Sequence, residues 1–279
     1  MVSLGLWRFR SAAYVLRTYE PRKRALSAAL ATFRTQPVAE HDLRRAVAQG
    51  KDPSNLLESL ALRGTERPFQ KWWHYFETYD RELGLLAAQS RQGDLPAPLR
   101  ILEIGVQRGG SLGLWREYFG HTAQIWGIDI DPGCSSFSDG NTQVRIGSQS
   151  DALFLREVVE EMGGVDVVID DGSHMSNHIV TSLAVLFPLL SSSGVYLVED
   201  LHAAYWPDWN GGLRRRGSAV EELKLLVDGL HQPYFGQQSA PGPLAHLVGQ
   251  VRSITFSDSM AVLRKGPYAS PEIFLSSNW

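Results

Sequence analysis

The sequence predicts an α/β fold: a mostly parallel central sheet with helices on both faces, a C-terminal antiparallel hairpin, and a helical N-terminal extension. Three observations carry this. From Arg100 onward, short apolar runs of strand type alternate with helical stretches, the pattern of strand–helix–strand crossovers in a parallel sheet. The last two runs are separated only by Ser257-Asp258-Ser259, a hairpin spacing. Ahead of about Arg67 there is no strand punctuation, and apolar residues such as Leu43 and Val47, then Leu56, Leu57 and Leu60, recur at helical spacing.

In chain order, residues 1–67 read as the extension, with Asp52-Pro53-Ser54 after Gly50 as a helix start. Residues 68–279 read as the main domain. It opens with an aromatic helix over 69–88 that carries Trp72, Trp73, His74, Tyr75, Phe76 and Tyr79. Aromatic residues at adjacent positions point all round a helix, so this one is expected to be enclosed on several sides. A Gly- and Pro-containing linker, 93–98, follows. Strands are predicted over 100–106, 124–130, 143–146, 165–169 and 194–198. Helices are predicted over 111–119, 151–162, 177–190 and 219–230, and the hairpin pairs 251–256 with 260–264. The apolar stretch 179–198 has the length of a membrane span. Pro188 and the run Ser191-Ser192-Ser193-Gly194 interrupt it, which reads as a buried helix, a turn and a buried strand.

Composition narrows the function classes. The 279 residues carry 27 basic and 30 acidic side chains, a net charge of −3, so no global positive field draws nucleic acid. The single cysteine, Cys134, excludes an intramolecular disulfide framework and a multi-thiolate zinc site. It points to a reducing, cytoplasmic setting. Between residues 8 and 24 there are six basic residues and one acidic one. A solvated helix face is favoured there over contact with a membrane surface.

The chemistry-bearing residues cluster at the predicted carboxyl ends of the parallel strands, where ligands sit in sheets of this kind. The first strand ends Leu102-Glu103-Ile104-Gly105, and Gly109-Gly110-Ser111 opens the next helix. That spacing is not the G-x-G-x-x-G of a dinucleotide site. The second strand ends Gly127-Ile128-Asp129-Ile130-Asp131. Asp129 is placed to accept from a ribose diol, and Asp131 reads equally as a helix cap. The fourth ends Asp170-Asp171-Gly172-Ser173-His174 and the fifth Glu199-Asp200. If those strands are neighbours, up to four carboxylates converge, which is costly unless protons or a cation neutralise them. Oxygen donors of this kind suit a hard cation such as Mg2+. His174 beside them is the candidate general base, with His178 and His202 as competitors. There is no G-x-S-x-G elbow and no phosphate-binding P-loop.

Taken together, the run from Leu102 through Ser111 and Gly127 to Asp131 resembles the cofactor half of class I, Rossmann-like S-adenosylmethionine-dependent methyltransferases. With Asp170 to His174 and Glu199-Asp200, the likeness narrows to the metal-dependent sugar O-methyltransferases of macrolide biosynthesis and the related cephalosporin-hydroxylase-like and rhamnosyl O-methyltransferase group. The resemblance implies that Asp171, Glu199 and Asp200 hold Mg2+ and that His174 acts as base. It also implies that Glu103, Gly105, Ser111 and Asp129 surround the methionine and ribose of S-adenosylmethionine, with Gln149 and Asp170 near the adenine. The resemblance implies that the aromatic, His- and Tyr-containing helix of that group corresponds to Trp73-His74-Tyr75. The implied acceptor is a hydroxyl on a glycosylated natural product or an envelope glycolipid, and the implied assembly a homo-oligomer. Tyr205, Trp206, Trp209 and Gly211-Gly212 fit either a sugar-stacking lid or core. The competing readings are a nicotinamide-dependent oxidoreductase, a metal-dependent oxygenase of the cephalosporin-hydroxylase type, and a non-catalytic binding protein on the same fold.

Overall fold

The structure, a computed structural model, describes residues 55–234, 242–267 and 272–274. The basic stretch 8–24, Leu43, Val47 and the helix start at 52–54 lie outside these residues.

Seven strands form one sheet in the order β3-β2-β1-β4-β5-β7-β6. They are β1 (Arg100–Ile104), β2 (Gln124–Asp129), β3 (Thr142–Ile146), β4 (Val165–Asp170), β5 (Leu190–Val198), β6 (Val251–Ser257) and β7 (Met260–Lys265). The first five are mutually parallel, while β7 runs antiparallel to both β5 and β6. Alternation along the pleat divides each buried strand between two cores. Ile101, Val167, Ile169, Val195 and Leu197 face helices α1 (Leu56–Arg63), α2 (Tyr75–Gln92) and α3 (Gly110–Phe119). Leu102, Ile104, Val168, Tyr196 and Val198 face α4 (Ala152–Met162), α5 (Ser176–Leu186) and α6 (Ala219–Leu230). Leu57 and Leu60 of α1 are buried in the first of these cores, so the last helix of the extension packs onto the body. The cap read at Asp131 starts a 3-10 turn by accepting the Gly133 amide, and Asp151 caps the helix that follows it by accepting the amides of Leu153 and Phe154.

Two elements differ from their expected extents. The aromatic helix begins at Tyr75 rather than at residue 69; ahead of it residues 68–72 are irregular and the chain enters the helix through a turn, with the Tyr75 amide donating to the Trp72 carbonyl. Trp73 is consequently 37% exposed, not enclosed. The helix expected over 177–190 stops at Leu186 and tightens into a 3-10 turn at Phe187–Leu189, since Pro188 has no amide with which to continue the α-helical ladder. Strand β5 then starts at Leu190, and a register shift between Val165 and Val167 of β4 absorbs the serine run. Among the described residues, no helix is long and apolar enough to cross a membrane.

Candidate active site at the carboxyl edge of the sheet

Strands β1, β4 and β5 are neighbours, with Ile104 opposite Asp170 and Asp170 opposite Val198. The ladder continues past their ends, as the Asp171 amide donates to the Ile104 carbonyl and the Glu199 amide to that of Asp170. The acidic pairs predicted at two strand ends are therefore side by side. Pleat parity then sorts them. Glu103 and Glu199 face α2 and α3, whereas Asp170 faces α5.

Asp170 is 1% exposed, and its carboxylate accepts from Gln149 Nε2 at 3.0 Å, Ser182 Oγ at 2.6 Å and Tyr196 Oη at 2.8 Å. Burial pushes its pKa up, against those donors. It ties β4 to β5 and α5 and does not line the open groove. Glu103 is likewise fully buried, and accepts from Ser111 Oγ at 2.7 Å and Trp115 Nε1 at 3.0 Å.

The residue that joins the acidic set was not anticipated from the sequence. The Lys71 ammonium, on a side chain 1% exposed, lies 2.7 Å from Asp171 Oδ2, 2.8 Å from Glu199 Oε1 and 3.6 Å from Glu103 Oε1. Burial alone would lower its pKa, but Asp171, Glu199 and Glu103 together outweigh burial and raise it. Burial, and then repulsion from Asp171, raise that of Glu199 well above the carboxylate range. The aromatic helix supplies two further partners, one turn apart on one face. Tyr79 Oη donates to Glu199 at 2.5 Å and Tyr75 Oη to Asp200 Oδ1 at 2.6 Å. Lys71 is the only lysine between Lys51 and Lys224. The Tyr-x-x-x-Tyr spacing was the available signal for the helix, whereas nothing local marks a lone lysine as buried.

Two oxygens and an imidazole remain turned toward each other. His174 Nε2 is 3.6 Å from Asp200 Oδ2 and 4.0 Å from Asp171 Oδ1. Asp171, His174 and Asp200 offer donor atoms that all lie within 4.8 Å of one another. His174 and Asp200 both adopt positive φ, 57° and 54°, a conformation uncommon for non-glycine residues and found often at functional sites. A surplus of carboxylates over cations, with two oxygens facing one point, fits a hard divalent ion. Of the three expected ligands, the structure brings Asp171 and Asp200 to that point. Glu199 is engaged by Lys71 and Tyr79 behind them.

Next to this point runs a groove lined by Gly105, Asp129, Gly147, Gln149, Gly172 and His178, among others. Asp129 Oδ2 accepts the amides of Val106 and Gln107, both at 2.9 Å, and so shapes the glycine turn itself. Gln149 Oε1 accepts the Ser173 amide at 2.7 Å. Gly105 has φ 95°, and a Cβ there would lie 2.1 Å from the Asp171 carbonyl oxygen; only glycine lets the two strand ends approach this closely. Ser111, 7% exposed, is held by Glu103 and is not among the residues that line the groove. Of the competing histidines, His178 Nδ1 is 2.8 Å from Ser173 Oγ. His202 pairs with Ser259 Oγ, and burial lowers its pKa. The aromatic run after Asp200 is divided: Trp209 is buried against Met175 and Ala203, while Tyr205 is 45% exposed. Cys134 is buried.

No protein-family profile matches the chain. It is 36% identical over 215 residues to the 8-demethyl-8-(2-methoxy-alpha-L-rhamnosyl)-tetracenomycin-C 3'-O-methyltransferase of Streptomyces olivaceus, covering 70% of this chain and 51% of that protein. To the mycinamicin VI 2''-O-methyltransferase of Micromonospora griseorubida it is 39% identical over 145 residues, covering 48% of this chain and 36% of the relative. The chain thus spans about half the length, or less, of these relatives. Among solved structures it matches the MycE methyltransferase of mycinamycin biosynthesis in complex with Mg and SAH, at TM-score 0.64 and 30% identity over 77% of this chain and 55% of that one. By sequence and by fold, the chain is a homologue of part of the natural-product sugar O-methyltransferases and resembles the class I S-adenosylmethionine-dependent methyltransferases.

Proposed function

We propose that the chain is a Mg2+-dependent O-methyltransferase that moves a methyl group from S-adenosylmethionine to a sugar hydroxyl of a glycosylated natural product, with His174 as general base. The observation that carries this is the meeting of Asp171, Asp200 and His174 at one point of the sheet edge, beside a groove lined by Gly105, Asp129 and Gln149. The relatives add support: each is named for sugar or macrolide O-methylation, and one MycE structure holds Mg, SAH and mycinamycin VI. Asp171, Glu199 and Asp200 are the ligand set of this reading. Residues 68–279 form its catalytic domain and 1–67 its extension, and it works as a cytoplasmic homo-oligomer.

When bound, the cation lowers the proton affinity of a coordinated hydroxyl and the donor presents an activated methyl group. The protein's part is to hold and to accept. His174 takes the proton at Nε2, the atom that faces Asp171 and Asp200. Tyr75 fixes Asp200, while Lys71 and Tyr79 fix Glu199, so the carboxylates are oriented before any substrate arrives. Asp129, Gln149 and the two glycine turns shape the donor groove. The test is transfer of labelled methyl from S-adenosylmethionine to a panel of deoxysugar glycosides, with Mg2+ and with chelator. Transfer that needs Mg2+ is expected. Full activity in metal-free buffer would remove the cation from the reading, and no transfer by a donor-bound chain would remove the acceptor class.

A further inference from the structure

Lys71 sits at the end of a strap, residues 65–71, that lies against the first glycine turn. The Thr65 hydroxyl donates to the Arg67 carbonyl at 2.6 Å, and the Arg67 guanidinium stands 4.8 Å from the centre of the Phe137 ring. A Cβ on Gly110 would come within 2.4 Å of the Arg67 carbonyl oxygen and 2.5 Å of Pro68. The strap therefore lies flush on the start of α3 only because residue 110 is glycine. From there the chain delivers the Lys71 ammonium between Asp171 and Glu199, with Glu103 beneath.

A divalent cation held jointly by Asp171, Glu199 and Asp200 would require the oxygens that Lys71 now occupies. Mg2+ bonds its oxygens at about 2.0–2.1 Å and demands near-octahedral geometry, so an ion bridging Asp171 and Glu199 would fill the place of the ammonium. Two cations cannot share that space without strong repulsion in a buried setting.

We infer that Lys71 is a displaceable internal counter-ion: it holds Asp171 and Glu199 together in the ion-free chain and swings out when a divalent cation enters. Strap and metal then compete for one site. The inference rests on the cation reading proposed above, and it makes Lys71 a positioning residue, not a catalytic one.

The test is direct metal binding by the full chain, with Mn2+ as the probe and free Mn2+ followed by electron paramagnetic resonance. Lys71→Met removes the competitor and is expected to bind Mn2+ about tenfold tighter or more than the parent, with Lys71→Arg at or below the parent. Parent-like or weaker binding by Lys71→Met overturns the exchange and leaves the cation site standing. Absence of Mn2+ binding in every chain, the parent included, overturns both. Because Lys71→Met leaves the buried Glu103 and Glu199 and the partly buried Asp171 without their cation, and such a variant can fail to fold, a second measurement uses the unaltered chain. Amine acylation is quantified by peptide mass spectrometry with and without saturating Mg2+. Labelling of Lys71 is expected to be low without the ion and to rise about tenfold with it, as exposure of a buried amine demands. Lys224, 52% exposed, should label equally in both. Unchanged protection of Lys71 at saturating Mg2+ would overturn the exchange.

Discussion

His174 takes a left-handed backbone conformation, φ 57°, three residues after Asp171 and facing Asp200. A side chain held there at a conformational cost is expected to act on substrate rather than to support the fold. Its replacement should therefore separate binding from turnover. His174→Ala is expected to lower kcat by about 10²–10⁴, the usual contribution of a general base, while S-adenosylhomocysteine affinity stays within about threefold. Calorimetric titration and single-turnover kinetics measure the two. Near-normal turnover would pass the base role to His178 or His202. The second residue-scale expectation concerns Asp166. Burial pushes its pKa up, but the hydrogen bonds from Arg100 more than offset this and hold it below the usual carboxylate range. Its oxygens accept from the Arg100 amide, Nε and Nη2, each at 3.0 Å, which fastens β1 to β4. A depressed folded pKa means that the stabilisation is complete above the unfolded-chain value of about 3.9 and is lost as pH falls through the lower folded value. Asp166→Asn should cost about 1–2 kcal/mol at pH 7, and the gap to the parent in urea melts should close toward about pH 3. An equal gap at both pH values would assign it to packing.

At the scale of elements, helix α2 carries the site as much as the strands do. Tyr79 is fully buried and donates to the buried Glu199. Tyr79→Phe keeps the ring and strips the donor, so it should destabilise the ion-free chain by about 1–3 kcal/mol, the penalty for an under-satisfied buried acceptor. Tyr75→Phe should cost less, because Asp200 keeps 17% side-chain exposure and gains water. Denaturant midpoints rank the two variants, and the reverse order would mean that the helix is held by its apolar contacts alone. This element also marks the limit of what the sequence could reveal. Alternating apolar runs read out strand and helix positions, because burial on two faces demands that pattern. Acidic pairs at the ends of β4 and β5 were legible as one site once those strands were taken as neighbours. The start of α2 was not legible. The aromatic residues mark no starting point for the helix, and residues 69–72 ahead of it are irregular, with Lys71 drawn to Asp171, Glu199 and Glu103. Pleat parity, too, hid behind adjacency: Asp170 and Asp171 are consecutive, yet one locks α5 and the other opens to the site.

At the scale of the molecule, the donor groove and the acidic cluster lie at the carboxyl edge of one continuous sheet, within residues 65–202 of the described chain. Recognition of the donor is therefore expected from this chain even though it spans about half the length of its sugar-methylating relatives. Binding to the folded state alone raises stability by about 2.7 kcal/mol at a hundredfold excess over Kd. For a body of this size, each kcal/mol moves Tm by about 2–4 °C. S-adenosylhomocysteine at that excess should accordingly raise Tm by about 5–10 °C, whereas NAD at the same concentration should leave it unchanged. The contrast follows from the turn after β1, where Glu103-Ile104-Gly105 leads to Gly109-Gly110-Ser111 without the spacing that seats a pyrophosphate. Differential scanning fluorimetry at several ligand concentrations measures both. A shift with NAD and none with S-adenosylhomocysteine would turn the groove over to hydride transfer, and the carboxylates beside it would then need another explanation.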